Sequence, residues 1–187
     1  MKNFLLTVVV LVLLASPAFA QSSTSLWVEG QIISSDGEIS PWTNSLVSRK
    51  FDEKLGMFVL SQNGERWAQA YVGPTYSPSS WLQVGAGLGI EQADNPVRLG
   101  SFVWMGRGRY SLLSIYEDGG SGHWYKSELN IKAAGWLGAG AIVQHMLGVG
   151  PRVELNIPRT PVMVWGAPLY DWSMDRFNGM LAVRVRF

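Results

Sequence analysis

Few residues in this chain have the types and spacing for chemistry. Among its 187 residues are two His and no Cys. The one run with the contents of a nucleophilic site is Asp118-Gly119-Gly120-Ser121-Gly122-His123. It gathers acid, hydroxyl and imidazole within six residues. Three glycines in the same run are also plain turn chemistry, and that reading is favoured here. Gly138-Ala139-Gly140 and the alternate glycines Gly85, Gly87 and Gly89 are no dinucleotide motif, because no helical pattern follows them. The missing Cys excludes disulfides, thiolate catalysis, Cys-ligated zinc and a lipid-modified N-terminal Cys. No metal site and no cofactor is expected.

A second set of residues carries charge in a regular pattern. Arg152-Val153-Glu154-Leu155-Asn156-Ile157 alternates polar and apolar without a break. Residues 126–132, which include Lys126 and Glu128, do the same apart from Ser127. Leu82, Val84, Ala86, Leu88 and Ile90 share one face, and Glu91 lies on the other. Alternation marks strands, since successive side chains point to opposite sides of a sheet. No helical-period stretch of useful length follows residue 20, so the chain reads as all-β.

Residues 1–20 stand apart. One charge (Lys2), an apolar run and Ala18-Phe19-Ala20 form the order of a secretory signal peptide. The apolar run is shorter than the ~20 residues a spanning helix needs. Residues 21–187 then form one domain, with 14 basic and 14 acidic residues. No basic excess remains to hold nucleic acid.

Turn signals such as Asn63-Gly64, Asp94-Asn95-Pro96 and residues 118–122 cut the chain at short intervals. They leave ten strand-like pieces in residues 51–187 and an eleventh at 25–34. Single-chain bacterial outer-membrane barrels have an even strand number. Either a short strand hides within 38–48, giving twelve, or the first piece lies outside the wall, giving ten. Twelve strands of ~10 residues leave about four residues per connection, in keeping with the turn spacing. Twelve is preferred.

The chain ends in Met180-Leu181-Ala182-Val183-Arg184-Val185-Arg186-Phe187, with Leu181, Val183, Val185 and Phe187 on one face. This ending resembles the closing strand of bacterial outer-membrane β-barrel proteins, which commonly finish on an aromatic with hydrophobics at alternate positions before it. The resemblance implies a closed antiparallel transmembrane barrel in the outer membrane of a Gram-negative cell. It also implies that the four apolar residues are a signal to the outer-membrane insertion machinery, and that lipids and lipopolysaccharide surround the wall. The alternative, a secreted β-sandwich binding module, would leave a long apolar edge unguarded. With the last strand running toward the periplasm, outer loops are expected to be longer than inner turns. Tyr76, Trp81, Trp104, Tyr110 and Trp136 are expected in an inner aromatic girdle, and Trp67, Tyr116, Trp124, Tyr170 and Trp172 in an outer one. His145 shares a face with Ala139, Ala141, Val143 and Leu147 and is expected to face lipid.

The other faces predict a lumen of both signs, with Glu29, Glu91, Glu128 and Glu154 against Lys126, Arg152, Arg184 and Arg186. These charges either fill a narrow barrel as ion pairs or line a water-filled path, and partial filling is preferred. If the first and last strands close the wall, Glu29 is expected within reach of Arg184 or Arg186. The expected function is a small barrel acting as a passive, porin-like pore or a structural and binding protein, without catalysis. The alternative is a lipid-modifying outer-membrane enzyme on Ser121, His123 and Asp118. Outer-membrane lipid A deacylases and phospholipases carry His-x-Ser, however, and here the order is Ser121-Gly122-His123.

Overall fold

The structure is a computed structural model that describes residues 24–65 and 67–187; the expected signal peptide lies outside them. Twelve strands follow one another: β1 Thr24–Ser35, β2 Glu38–Lys50, β3 Leu55–Asn63, β4 Ala68–Ser79, β5 Leu82–Glu91, β6 Val97–Arg107, β7 Tyr110–Gly119, β8 Gly122–Lys132, β9 Leu137–Gln144, β10 Gly148–Asn156, β11 Val162–Asp171 and β12 Arg176–Arg186. Each pairs with its neighbours, and β1 pairs with β12, so the sheet closes into a barrel. Closure leaves the sheet without an open edge, the condition for a sheet in hydrocarbon.

Twelve is therefore the strand count, and β2 is the strand whose alternation was hardest to see. Its sequence holds Pro41 and the polar run Thr43, Asn44 and Ser45, which blur the apolar face. Asp36-Gly37, both residues at positive φ (53° and 79°), make the two-residue turn that pairs β2 back onto β1. Asp-Gly suits such a hairpin because both central positions need positive φ.

The seam runs from Trp27↔Arg186 to Ser35↔Asn178 in unbroken antiparallel register. One residue further, the Phe187 N–H donates to the Leu26 carbonyl at 2.8 Å. The last residue thus belongs to the seam through its backbone as well as its ring.

The outer wall is apolar. Ile32, Val59, Val72, Leu88, Leu99, Leu129, Val153, Leu181 and Val183 are all exposed, on β1, β3, β4, β5, β6, β8, β10 and β12 around the barrel. Such a continuous apolar belt does not persist against water. Tyr76, Trp81, Tyr110 and Trp136 are exposed near the rim that holds the chain's C-terminus, and Tyr116 and Trp172 near the far rim. Three expected girdle residues behave otherwise. Trp104 turns into the lumen, Trp67 packs on Trp42 with ring centroids 5.4 Å apart, and Trp124 lies in register opposite Glu117, itself an inward residue.

Loop asymmetry is absent. Connections on both rims are two to five residues long, because strands such as β7 and β8 continue into the expected loop and shrink it to residues 120–121. Among the described residues, no loop is long enough to fold back and plug the barrel, so whatever fills the lumen comes from the wall itself.

Candidate functional site in the barrel lumen

The inward residues form two packed clusters and one cavity. The first cluster is apolar. Along β11, Met163, Trp165, Ala167 and Leu169 face inward and pack with Ile33, Ile142, Leu147, Met180 and Ala182. Trp42 leans against them. This core lies inside the barrel, where the sequence suggested polar residues. Leu147, placed on the lipid face with His145 by alternation, belongs to it. The three-residue turn after β9, with Met146 at φ 66°, breaks the period and swings Leu147 inward.

The second cluster is polar and sits across the barrel, on β4 to β7. Arg98 donates to Glu91 at 3.0 Å and lies 3.4 Å from Glu117. Gln69 donates to Glu117 at 2.9 Å, and the Tyr71 hydroxyl donates to Gln69 at 2.9 Å. Ser121 closes the group by donating to Glu91 at 2.5 Å and accepting from Arg98 at 2.7 Å. Arg98 is only 2% exposed and Glu117 1%. Neither was singled out from the sequence. The available signal was their position, since Glu91 and Arg98 flank the same 92–96 turn on one face.

This geometry separates the Asp118, Ser121 and His123 trio. Asp118 and His123 stand opposite each other on the β7–β8 ladder, on the outward side. Ser121 instead turns to Glu91 and Arg98. The His123 ring stacks on His145, centroids 4.9 Å apart, and Tyr125 stacks on His145 at 5.3 Å.

Between the polar cluster and the C-terminal rim lies a cavity of about 960 Å³, flanked along β11 by the apolar cluster, which runs from Met163 at that rim to Leu169 toward the far one. Its lining includes Glu53, Lys54 and Ser80 from the connections of that rim and, among the described residues, none from the far-rim connections. Toward the far rim, Gln31, Ile33, Gln69, Glu91, Arg98, Glu117, Leu169 and Met180 are all buried. Water running through the far half would expose them. The lumen is therefore a vestibule, open at the C-terminal rim and closed by packed side chains beyond its middle.

The predicted luminal charges divide accordingly. Glu91 is in the polar cluster. Glu29, Lys126, Glu128, Arg152, Glu154, Arg184 and Arg186 line the vestibule. Glu29 sits opposite Arg184 in the seam register, and Arg184 reaches it through two nitrogens at 2.7 Å each. Trp165 Nε1 donates to the same carboxylate at 2.7 Å, and Gln31 at 2.6 Å. Arg186 stands one rung pair away, opposite Trp27, and does not pair with Glu29. The remaining acids find partners two residues away on their own strands, with Lys126–Glu128 at 2.6 Å and Arg152–Glu154 at 2.9 Å. Lys126 and Arg152 also lie over the Trp165 ring, at 5.4 and 4.6 Å. The cations thus cover the apolar stripe of β11 with charge.

The inward glycines make room for this filling. A Cβ at Gly85 would strike the Phe102 ring, at Gly87 the Phe58 ring, and at Gly89 or Gly100 the Tyr71 ring. Large inward rings are paired with absent side chains one or two strands away, as a tapering interior requires.

No family model matches the chain, and no curated protein matches it in sequence. Solved structures of the same architecture do. The KdgM porin is similar at TM-score 0.55 and 11% identity, over 86% of this chain and 98% of that one. The NanC porin is similar at 0.53 and 12% identity, over 86% and 98%. Acinetobacter baumannii outer membrane protein Omp33 is similar at 0.54 and 8% identity, over 89% and 98%. The fold is that of outer-membrane porins, and with its apolar belt the barrel belongs in a bacterial outer membrane.

Proposed function

We propose that this protein is a small passive outer-membrane pore held closed across its far half, with the vestibule as the inner part of its path. The carrying observation is that vestibule, a wide cavity reaching from one rim to a packed layer of side chains. The likeness to porins supports a transport role, and their low identity supports the fold without a solute. One neighbour is a KdgM porin in complex with disordered oligogalacturonate. Nothing in this chain's 11% identity to it carries that ligand over.

The C-terminal rim faces the periplasm in this reading, because β12 ends there on the face of Leu181, Val183, Val185 and Phe187. Residues 1–20 direct export, the insertion machinery reads the apolar face of β12, and lipids with lipopolysaccharide contact the belt. Conduction then requires the far-half side chains to move. Each of these is a dry contact or a buried ion pair, so open states are rare.

Planar-bilayer recording tests this. Wild-type protein should give small, infrequent steps, and Leu169→Ala, which removes a fully packed side chain from the far half, should raise open probability at least tenfold. Large steady conductance from wild type would contradict closure. Silence from both, in protein whose unboiled gel migration shows it folded, would overturn the pore and leave a structural or binding role.

A further inference from the structure

The vestibule wall is divided by strand. On β2, β3, β6 and β7 it presents Leu46, Leu60, Phe102, Trp104, Leu113 and Ile115, each half-buried and so partly bare to the cavity. On β8, β10 and β12 it presents Lys126, Arg152, Arg184 and Arg186. The strand order puts the first group on one side of the barrel, in two patches separated by β4 and β5 with Thr75, Ser77, Ser79 and Gln83, and the second group on the other side.

Three of the four cations are matched by Glu128, Glu154 and Glu29. Arg186 is not. Among the described residues no carboxylate lies within ion-pair distance of it, and its one side-chain hydrogen bond is to the Met163 sulfur at 3.6 Å. Arg186 is exposed and stands at the open end of the cavity. The cavity therefore holds apolar patches among polar side chains on one side, a wall of ion pairs opposite and, in Arg186, a guanidinium without an ion-pair partner.

We propose that the vestibule binds an amphiphile with one carboxylate and an apolar body of fatty-acid size. The carboxylate meets Arg186 and the chain lies along Leu46, Leu60, Phe102 and Leu113. Each alternative class leaves part of the site unused. A polyhydroxylated acid satisfies Arg186 but leaves the Leu46, Leu60, Phe102 and Leu113 patches bare, and a neutral oil leaves the guanidinium without an anion. The volume, about 960 Å³, lies in the range of small-molecule sites. An arginine fork on a carboxylate supplies orientation, and burial of the apolar wall supplies affinity. This inference rests on the shape and lining of the vestibule and not on conduction, so silence in the bilayer would not overturn it.

Native mass spectrometry of the folded barrel, released from dodecyl maltoside micelles, tests it with dodecanoate, dodecanol and gluconate. A saturable adduct of one dodecanoate per barrel is expected, with at least tenfold weaker binding of the other two. Arg186→Gln should weaken dodecanoate at least tenfold, and so should Leu113→Gln, which leaves the charge in place. Heat-modifiable gel migration confirms that each variant is folded. Gluconate binding as well as dodecanoate would overturn the apolar wall's role. No saturable adduct, or one unchanged in both variants, would overturn the site.

Discussion

Glu29 is 1% exposed, yet its carboxylate is held by Arg184, Trp165 and Gln31. A buried charge of this kind is tolerable only while its partners remain. Arg184→Gln should therefore cost about 3–5 kcal/mol, because it strands a carboxylate in a packed interior. The double variant Glu29→Gln with Arg184→Gln should recover most of that loss. Denaturant titration of the barrel in phospholipid vesicles measures both, and a double variant no more stable than the single would contradict the pairing. At this scale the seam pair was legible, because alternation alone puts Glu29 and Arg184 on one face of adjoining strands. The polar cluster was not. Arg98 meets Glu91 across the β5–β6 hairpin, but nothing local shows that the pair is luminal, and only the curvature of the wall brings Glu117 on β7 to Gln69 on β4.

Strands convert such residues into a wall, and their defects show where geometry is tight. Gly85→Leu should impair folding, because the Phe102 ring already occupies the space a side chain needs. Adding Phe102→Ala should restore the heat-modifiable form, and failure to do so would mean that Gly85 serves the backbone instead. At the seam, deleting Phe187 removes both an apolar anchor and the N–H that bonds Leu26 at 2.8 Å. Phe187→Asp removes only the anchor. Both should lower the amount of folded barrel in the outer membrane, the deletion more severely, and unchanged levels would contradict a role for the last residue.

The 51–54 turn offers a pH signature. Asp52 accepts from the Leu55 and Lys54 backbone N–H groups at 2.7 Å each, which holds its carboxyl below the usual range. A lowered folded-state value means that this turn's stabilisation is present above the ordinary carboxylate range and lost as pH falls through the folded value. The amide signals of Leu55 and Lys54 should move together during acidification, and static signals would contradict the contact. Among elements, unbroken alternation made β8, β10 and β12 legible. β2 was left open because Pro41 and its polar run hide the period, while the Asp36-Gly37 turn that reveals it went unread.

For the molecule as a whole, the sequence reading posed a choice between a filled and an open lumen. The structure divides them by height, with packed side chains across the whole section toward the far rim and a cavity beside the β11 core toward the C-terminal rim. Alternation could not show this, because it sorts residues into inward and outward without saying which inward ones meet. The apolar core inside the barrel was hidden for the same reason. No local pattern in residues 162–171 says that Trp165 and Leu169 meet Ile142 and Met180 inside the barrel.

The most direct test of closure uses the chain's lack of cysteine. Ser111 lines the vestibule and Asp94 lies in a far-rim connection. Ser111→Cys and Asp94→Cys can each be labelled on intact cells, and again after the periplasm is opened, with a small charged methanethiosulfonate. The account predicts that Cys at 94 reacts from outside the cell, whereas Cys at 111 reacts only once the reagent enters the periplasm. Rapid labelling at 111 from outside, matching that at 94, would mean that water crosses the far half and would contradict the closed lumen.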